Sequence, residues 1–232
     1  MDTIVNLQGQ NVSTGTVVLL HGLARGPWSM KRIEWALRRD GYAVLNIGYR
    51  SRQHDIATLA AQALDPVFTR HETYSPLHVV THSMGAILLR QYLQSHPQAP
   101  RPSRVVMLGP PNHGSEIVDR LRHWRPYAWI NGPAGLQLGT TPDSLPNQLQ
   151  GISGAEVGVI AGSVSLNPLF SCWIGRPSDG KVSIASTRLD GMSDHIILRT
   201  SHTWMLWRAP VIAQMSSFLR SGKFLRPNPP PL

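Results

Sequence analysis

His78-Val-Val-Thr-His-Ser83-Met-Gly85-Ala-Ile-Leu-Leu-Arg90 joins an apolar strand to an amphipathic helix through a single serine. A strand that runs into a serine, with a small residue two positions on and a helix beginning at once, describes a nucleophile elbow. The backbone doubles back so sharply there that the residues two before and two after the serine must be small. Gly85 meets that demand, and Thr81 stands where glycine is commonest. The Met84 N–H, at the first turn of the helix, has no partner within it and is placed to meet an oxyanion. The plainer reading of the same string is a serine that caps a helix.

Upstream, His21-Gly22-Leu23 follows the apolar run Val17-Val18-Leu19-Leu20. Gly22 permits a tight turn, and the Leu23 N–H is a candidate second oxyanion donor. A strand followed by His-Gly, then a strand followed by His-Ser-Met-Gly, is far more specific than either motif alone.

Between and beyond these motifs, short apolar runs alternate with longer amphipathic ones. Tyr42 to Ile47, His78 to Thr81, Arg104 to Leu108, Val157 to Ala161 and His195 to Leu198 read, with Val17 to Leu20, as strands covered on both faces. Helices are expected from Ser29 to Asp40, from Asp55 as a cap through Leu64, from Met84 to Leu93 and from Pro210 to Leu219. The alternation predicts an α/β fold, a mainly parallel sheet between two layers of helices. A single domain is expected over residues 1–225, with residues 226–232 a Pro-rich tail. Residues 115–150 break the pattern as a lid-like insertion: a helix from Glu116 to Arg122, aromatics at Trp124, Tyr127 and Trp129, then a Gly/Pro/Thr-rich stretch.

The 232 residues carry 22 Lys plus Arg against 13 Asp plus Glu, a net charge of +9. Nearly all the excess is dispersed arginine, with no polybasic run and no DNA- or RNA-recognition motif, which argues against nucleic acid. Solubility or peripheral contact with anionic lipid is the better reading of the charge. The one cysteine, Cys172, excludes an internal disulfide and a multi-cysteine metal site, and is expected to be inert or buried. No HExxH or paired-carboxylate pattern suggests a metal, and no Walker-type loop a nucleotide. The start, Met-Asp-Thr-Ile-Val-Asn, lacks the layout of a signal peptide, which suits a cytoplasmic chain. A mature secreted or periplasmic form fits as well, and neither compartment nor oligomeric state follows from the sequence.

A base for Ser83 must reach it from a loop beyond the last strand. His202 lies just past that strand, whereas His195 opens it and falls at the opposite rim. His54, His71, His96 and His123 sit in polar segments and are expected to be exposed.

Over residues 15–220 the chain resembles the α/β-hydrolase superfamily, in particular its small bacterial-type serine esterases and lipases. The motifs that carry the likeness are His21-Gly22-Leu23, Thr81-His-Ser-Met-Gly85, Gly109-Pro-Pro-Asn-His-Gly-Ser115, Asp179-Gly-Lys-Val182 and the late His202. The resemblance implies a triad in the order Ser83, Asp179, His202, with Leu23 and Met84 N–H groups as the oxyanion hole and no cofactor. For the acid, Asp190, in a second Asp-Gly pair, and Asp194 stay open as alternatives. The resemblance also implies that His113 is a structural or pocket-wall residue and that His21, His82, Pro111, Trp124 and Trp129 border the substrate pocket. The expected reaction is hydrolysis of a small-molecule or lipid ester of short or medium acyl chain. Acyl transfer, thioester or amide cleavage would use the same residues, and a binding protein without activity is the reading from another class.

Overall fold

The computed structural model describes residues 14–70, 76–174 and 177–226. The strands β1 (Thr16–Leu20), β2 (Ala43–Ile47), β3 (Leu77–His82), β4 (Arg104–Leu108), β5 (Glu156–Gly162) and β6 (Asp194–Leu198) form one sheet in the order β2-β1-β3-β4-β5-β6. Every neighbouring pair is parallel. Each strand lies within two residues of its expected position.

Successive side chains of a strand point to opposite faces, and the core divides accordingly. Val18, Leu20, Val79, Val105 and Val157 pack on α2 (Ile56–Phe68) and α3 (Met84–Ser95). Val17, Leu19, Val80, Val106 and Ile160 pack instead with residues of α1 (Lys31–Arg39), such as Leu37, and of the last helix, such as Phe218. Asp55 caps α2 as expected, its carboxylate accepting the Thr58 N–H at 2.8 Å.

The strand order sets the position of the site. From β1 the chain moves outward to β2, then returns to place β3 on the other side of β1. The connections leaving β1 and β3 therefore diverge at their carboxyl ends and open a crevice between them. The His21-Gly22-Leu23 turn and the Ser83 turn are the two sides of that crevice.

The excursion after β4 is more helical than expected. It holds α4 (Glu116–Leu121), α5 (Arg125–Leu136) and α6 (Leu145–Gln148). Pro126 and Pro146 stand in the first turns of α5 and α6, where a missing N–H costs nothing, and α5 kinks at Gly132-Pro133. Those prolines and glycines read as loop in sequence but start and bend helices here. Beyond β5 follow α7 (Pro168–Ile174), α8 (Ile184–Thr187) and, after β6, α9 (Ala209–Ser221). Cys172 on α7 is exposed, so of the two expectations for it, inert or buried, the second does not hold. Residues 227–232 of the Pro-rich tail lie outside the described residues, as does His71.

Candidate active site

Ser83 sits between β3 and α3 with φ 53° and ψ −124°, a conformation that a residue with a side chain rarely adopts. The turn is held on both sides, by the Ser83 N–H donating to the Leu108 carbonyl (2.9 Å) and the Ala86 N–H to the Ser83 carbonyl (3.1 Å). Gly85 is required by close approach: a Cβ there would lie 2.6 Å from the Leu20 carbonyl oxygen. The expected demand for a small residue at that position is met for this reason.

His202 reaches Ser83 from beyond β6, two strands further along than β4. Strands lie about 4.8 Å apart, so the loop must cross roughly 14 Å of sheet edge. Two glycines let it do so. A Cβ on Gly109, just past β4, would lie 3.0 Å from Asp179 Oδ2 and 3.1 Å from His202 Nδ1. A Cβ on Gly162, ending β5, would lie 2.5 Å from the Thr200 carbonyl oxygen and 2.7 Å from Asp179 Cβ. The bare strand ends make room for Asp179 and His202 above the sheet.

There the three side chains form a hydrogen-bonded chain. His202 Nδ1 is 2.7 Å from Asp179 Oδ2, and His202 Nε2 is 3.0 Å from Ser83 Oγ. A carboxylate can only accept, so Nδ1 carries the hydrogen and Nε2 is left to accept from the serine hydroxyl. The other oxygen, Asp179 Oδ1, accepts the Lys181 and Val182 N–H groups, each at 2.9 Å. The Asp179 and His202 side chains are 0% and 5% exposed, so water does not compete for these bonds.

His82 supports the assembly from below. Its Nε2–H donates to the His202 carbonyl at 3.0 Å, and its ring lies 4.9 Å from the His202 ring. Burial, reinforced by the neighbouring His202, pushes its pKa well below the usual histidine range, so it stays neutral.

The other candidates fall elsewhere. Asp190 is exposed. Asp194 accepts N–H groups from His195 and Phe224 and pairs with Arg226 at the far end of β6. His195 bonds Thr187 Oγ1 at 3.1 Å. His54, His96 and His123 are exposed, and His113 faces out against Asn147.

The turn after β1 is pinned from beneath. His21 is fully buried, stacked on the Tyr49 ring at 3.9 Å, with Nδ1–H donating to the Gly22 carbonyl at 2.9 Å. The Tyr49 hydroxyl donates to the His21 carbonyl, and Ser51 Oγ accepts the Ala24 N–H at 3.0 Å. His21 therefore shapes the turn and does not border the pocket, a correction to the sequence reading. Gly22 lies against Ser83, with its Cβ position 3.1 Å from the serine Cβ.

A cavity of about 360 Å³ opens over Ser83 and His202. Its apolar wall comes largely from the excursion, through Val118, Leu121, Trp124, Tyr127, Ile130 and Leu138, and Leu23, His82, Pro111 and Phe170 also border the cavity. Trp129 is 85% exposed and takes no part. The correction follows from helix phase: residues 124, 127, 130 and 131 share one face, and 129 points the other way.

Arg90 escaped the sequence reading. From the buried face of α3 it donates to the carbonyls of Asn112, Pro146, Leu149 and Gln150, tying the post-β4 turn to the end of the excursion. Burial pushes its pKa down to about 10. An arginine on an otherwise apolar helix face was the available signal.

An all-parallel sheet with a strained serine after its third strand is an α/β-hydrolase architecture. The chain belongs to the Alpha/beta hydrolase family, whose pattern it matches over residues 17–230. Similar folds include the mature lipase BlEst2 of Bacillus licheniformis, at 17% identity and TM-score 0.66, covering 91% of this chain and 93% of that one. Phospholipase PlaB of Legionella pneumophila aligns at 16% identity and TM-score 0.69, over 90% of this chain and 60% of its own. A metagenomic carboxyl esterase aligns at 18% identity and TM-score 0.67, over 92% and 72%. At such identities the likeness is one of fold. No curated protein sequence matches this one.

Proposed function

We propose that this protein hydrolyses carboxylic esters through an acyl-serine intermediate on Ser83. The observation that carries the reading is the buried Asp179–His202–Ser83 hydrogen-bond chain opening into an apolar cavity. Ser83 Oγ attacks the ester carbonyl carbon while its proton passes to His202 Nε2, and Asp179 stabilises the resulting imidazolium. The Leu23 and Met84 N–H groups receive the oxyanion. Collapse breaks the carbonyl carbon–oxygen bond, and the leaving alkoxide takes the proton from His202. Water then repeats the sequence on the acyl-serine, releasing the carboxylic acid and restoring the hydroxyl.

Short and medium acyl chains suit a cavity near the lower limit of the roughly 300–1,000 Å³ usual for small-ligand sites. Exposed Trp28, Trp124 and Trp204 stand beside residues that border the cavity or border it themselves, which favours a lipid-like ester and peripheral contact with a lipid surface. Rapid mixing with p-nitrophenyl butyrate tests the reaction class. A burst of nitrophenol equal to the enzyme concentration, followed by stoichiometric butyrate, is expected. Butyrate released without any burst and with Ser83→Ala retaining activity would overturn the acyl-serine route. Butyryl groups passing wholly to an added alcohol would make the protein a transferase.

A further inference from the structure

Among the described residues, two cations share the cavity with Ser83 and His202. Arg25 lies in the turn after β1, and Lys181 lies two residues after Asp179. None of the described residues that border the cavity is acidic. Each cation is built into the candidate machinery. The Arg25 guanidinium is 3.5 Å from Thr203 Oγ1, beside His202, and lies 5.9 Å from the centre of the Trp28 ring. The Lys181 backbone N–H donates to Asp179 Oδ1.

Among the described residues neither cation forms an ion pair. Asp179 is the carboxylate that attracts Lys181, but its oxygens are held by His202 and two backbone N–H groups. Partial desolvation and the nearby Arg25 both lower the Lys181 pKa. Like charges that border one cavity repel one another, and an anion between them removes that cost. The apolar wall from α4 and α5 suits an acyl chain and excludes a charge, so the anion belongs to the other part of the ester.

We infer that Arg25 and Lys181 form an anion subsite, and that the ester's alcohol portion carries a phosphate group. The inference rests on the ester-hydrolase reading and specifies its substrate class. The phosphate can belong to a lipid headgroup or to a small soluble alcohol, and both present the same chemistry to the two cations.

The test compares 1-hexanoylglycerol 3-phosphate with 1-hexanoylglycerol, which differ only in the phosphate. For the wild type, kcat/KM is expected to be at least roughly tenfold higher for the phosphorylated ester, the size of one charge-assisted hydrogen bond. The ratio should shrink as salt rises. Arg25→Gln and Lys181→Gln should each lower it by roughly tenfold or less, and the double variant should bring it to about one. A wild-type ratio of one, with both esters cleaved, overturns the subsite and leaves the ester-hydrolase reading standing. A high ratio that persists in the double variant overturns it also. No hydrolysis of either ester overturns both. Vesicles of phosphatidic acid in phosphatidylcholine then separate the sources. Faster cleavage there than of the soluble phosphate ester identifies a lipid headgroup, and the reverse identifies a small phosphorylated alcohol.

Discussion

Asp179 and His202 are bonded twice. The imidazole Nδ1–H donates to the carboxylate at 2.7 Å, and the His202 backbone N–H donates to the Asp179 carbonyl at 3.0 Å. The backbone bond locks the two loops together, so the side-chain bond does not depend on rotamer alone. With Oδ1 held by two further N–H groups, the carboxylate has one free direction, toward the histidine.

Replacing Asp179 by Asn should therefore lower kcat on p-nitrophenyl butyrate by about ten-thousand-fold, since an amide cannot hold the needed imidazole tautomer. Asp190→Asn should leave kcat within about twofold, as expected for an exposed substitution away from special features. Steady-state kinetics on the two variants decides the acid. A large loss in Asp190→Asn with little in Asp179→Asn would reverse the assignment.

Gly109→Ala tests the passage over the strand ends. A methyl there meets Asp179 Oδ2 and His202 Nδ1 at about 3 Å on a backbone with φ +54°. A displacement of about 1 Å can cost a hundredfold in rate, so kcat should fall by that order. The circular dichroism spectrum should be retained. Unchanged kcat would mean the two loops have slack that their geometry does not suggest.

Acyl preference should follow the cavity. Each buried methylene contributes about 0.8 kcal/mol at most, or roughly fourfold in kcat/KM. The value should rise from acetyl to hexanoyl esters and then fall. Leu121→Trp should move the optimum to shorter chains, while Trp129→Ala, outside the cavity, should not move it. A steady decline from acetyl onward in the wild type would count against an acyl pocket.

Acid stability carries the signature of a buried neutral histidine. His78 on β3 is 4% exposed, its Nδ1 has no hydrogen-bond partner among the described residues, and burial together with nearby Arg104 lowers its pKa to about 4. The unfolded chain, with a histidine pKa of about 6.5, binds the proton first, so stability is full above that pH and is lost as pH falls toward 4. The loss reaches up to about 3 kcal/mol from this residue. Urea titrations between pH 7 and 4 should show a shallower fall for His78→Gln. Part of the fall should remain, because burial lowers His21 and His82 in the same direction. Equal slopes in wild type and variant would contradict the assignment.

Strands and the main helices were legible because short apolar runs between glycines and prolines leave few alternatives. Ser83 and His202 were legible because chain order and strand ends locate them. Asp179 was favoured over Asp190 only through the Asp179-Gly-Lys-Val182 motif, since both open an Asp-Gly pair; the space above Gly109 and Gly162 that receives Asp179 is created only by the fold. Trp129 was misplaced because residues 124–131 read as loop, and without a helix there was no phase to say which side chains face inward. His21 lies at the right turn but plays a different part, since only the tertiary fold brings Tyr49 under it. Arg25 was counted among the dispersed arginines and Lys181 appeared only within the Asp179-Gly-Lys-Val182 motif; that both border one cavity is set by the fold and is invisible to spacing.

The account depends on Ser83 being the nucleophile that His202 activates. Reaction with a fluorophosphonate, followed by intact-mass and peptide mass spectrometry, tests it most directly. One equivalent of label on Ser83, absent in Ser83→Ala and strongly slowed in His202→Ala, is the predicted result. Label on Ser115, Ser163 or any other serine, with Ser83 unmodified, would contradict it.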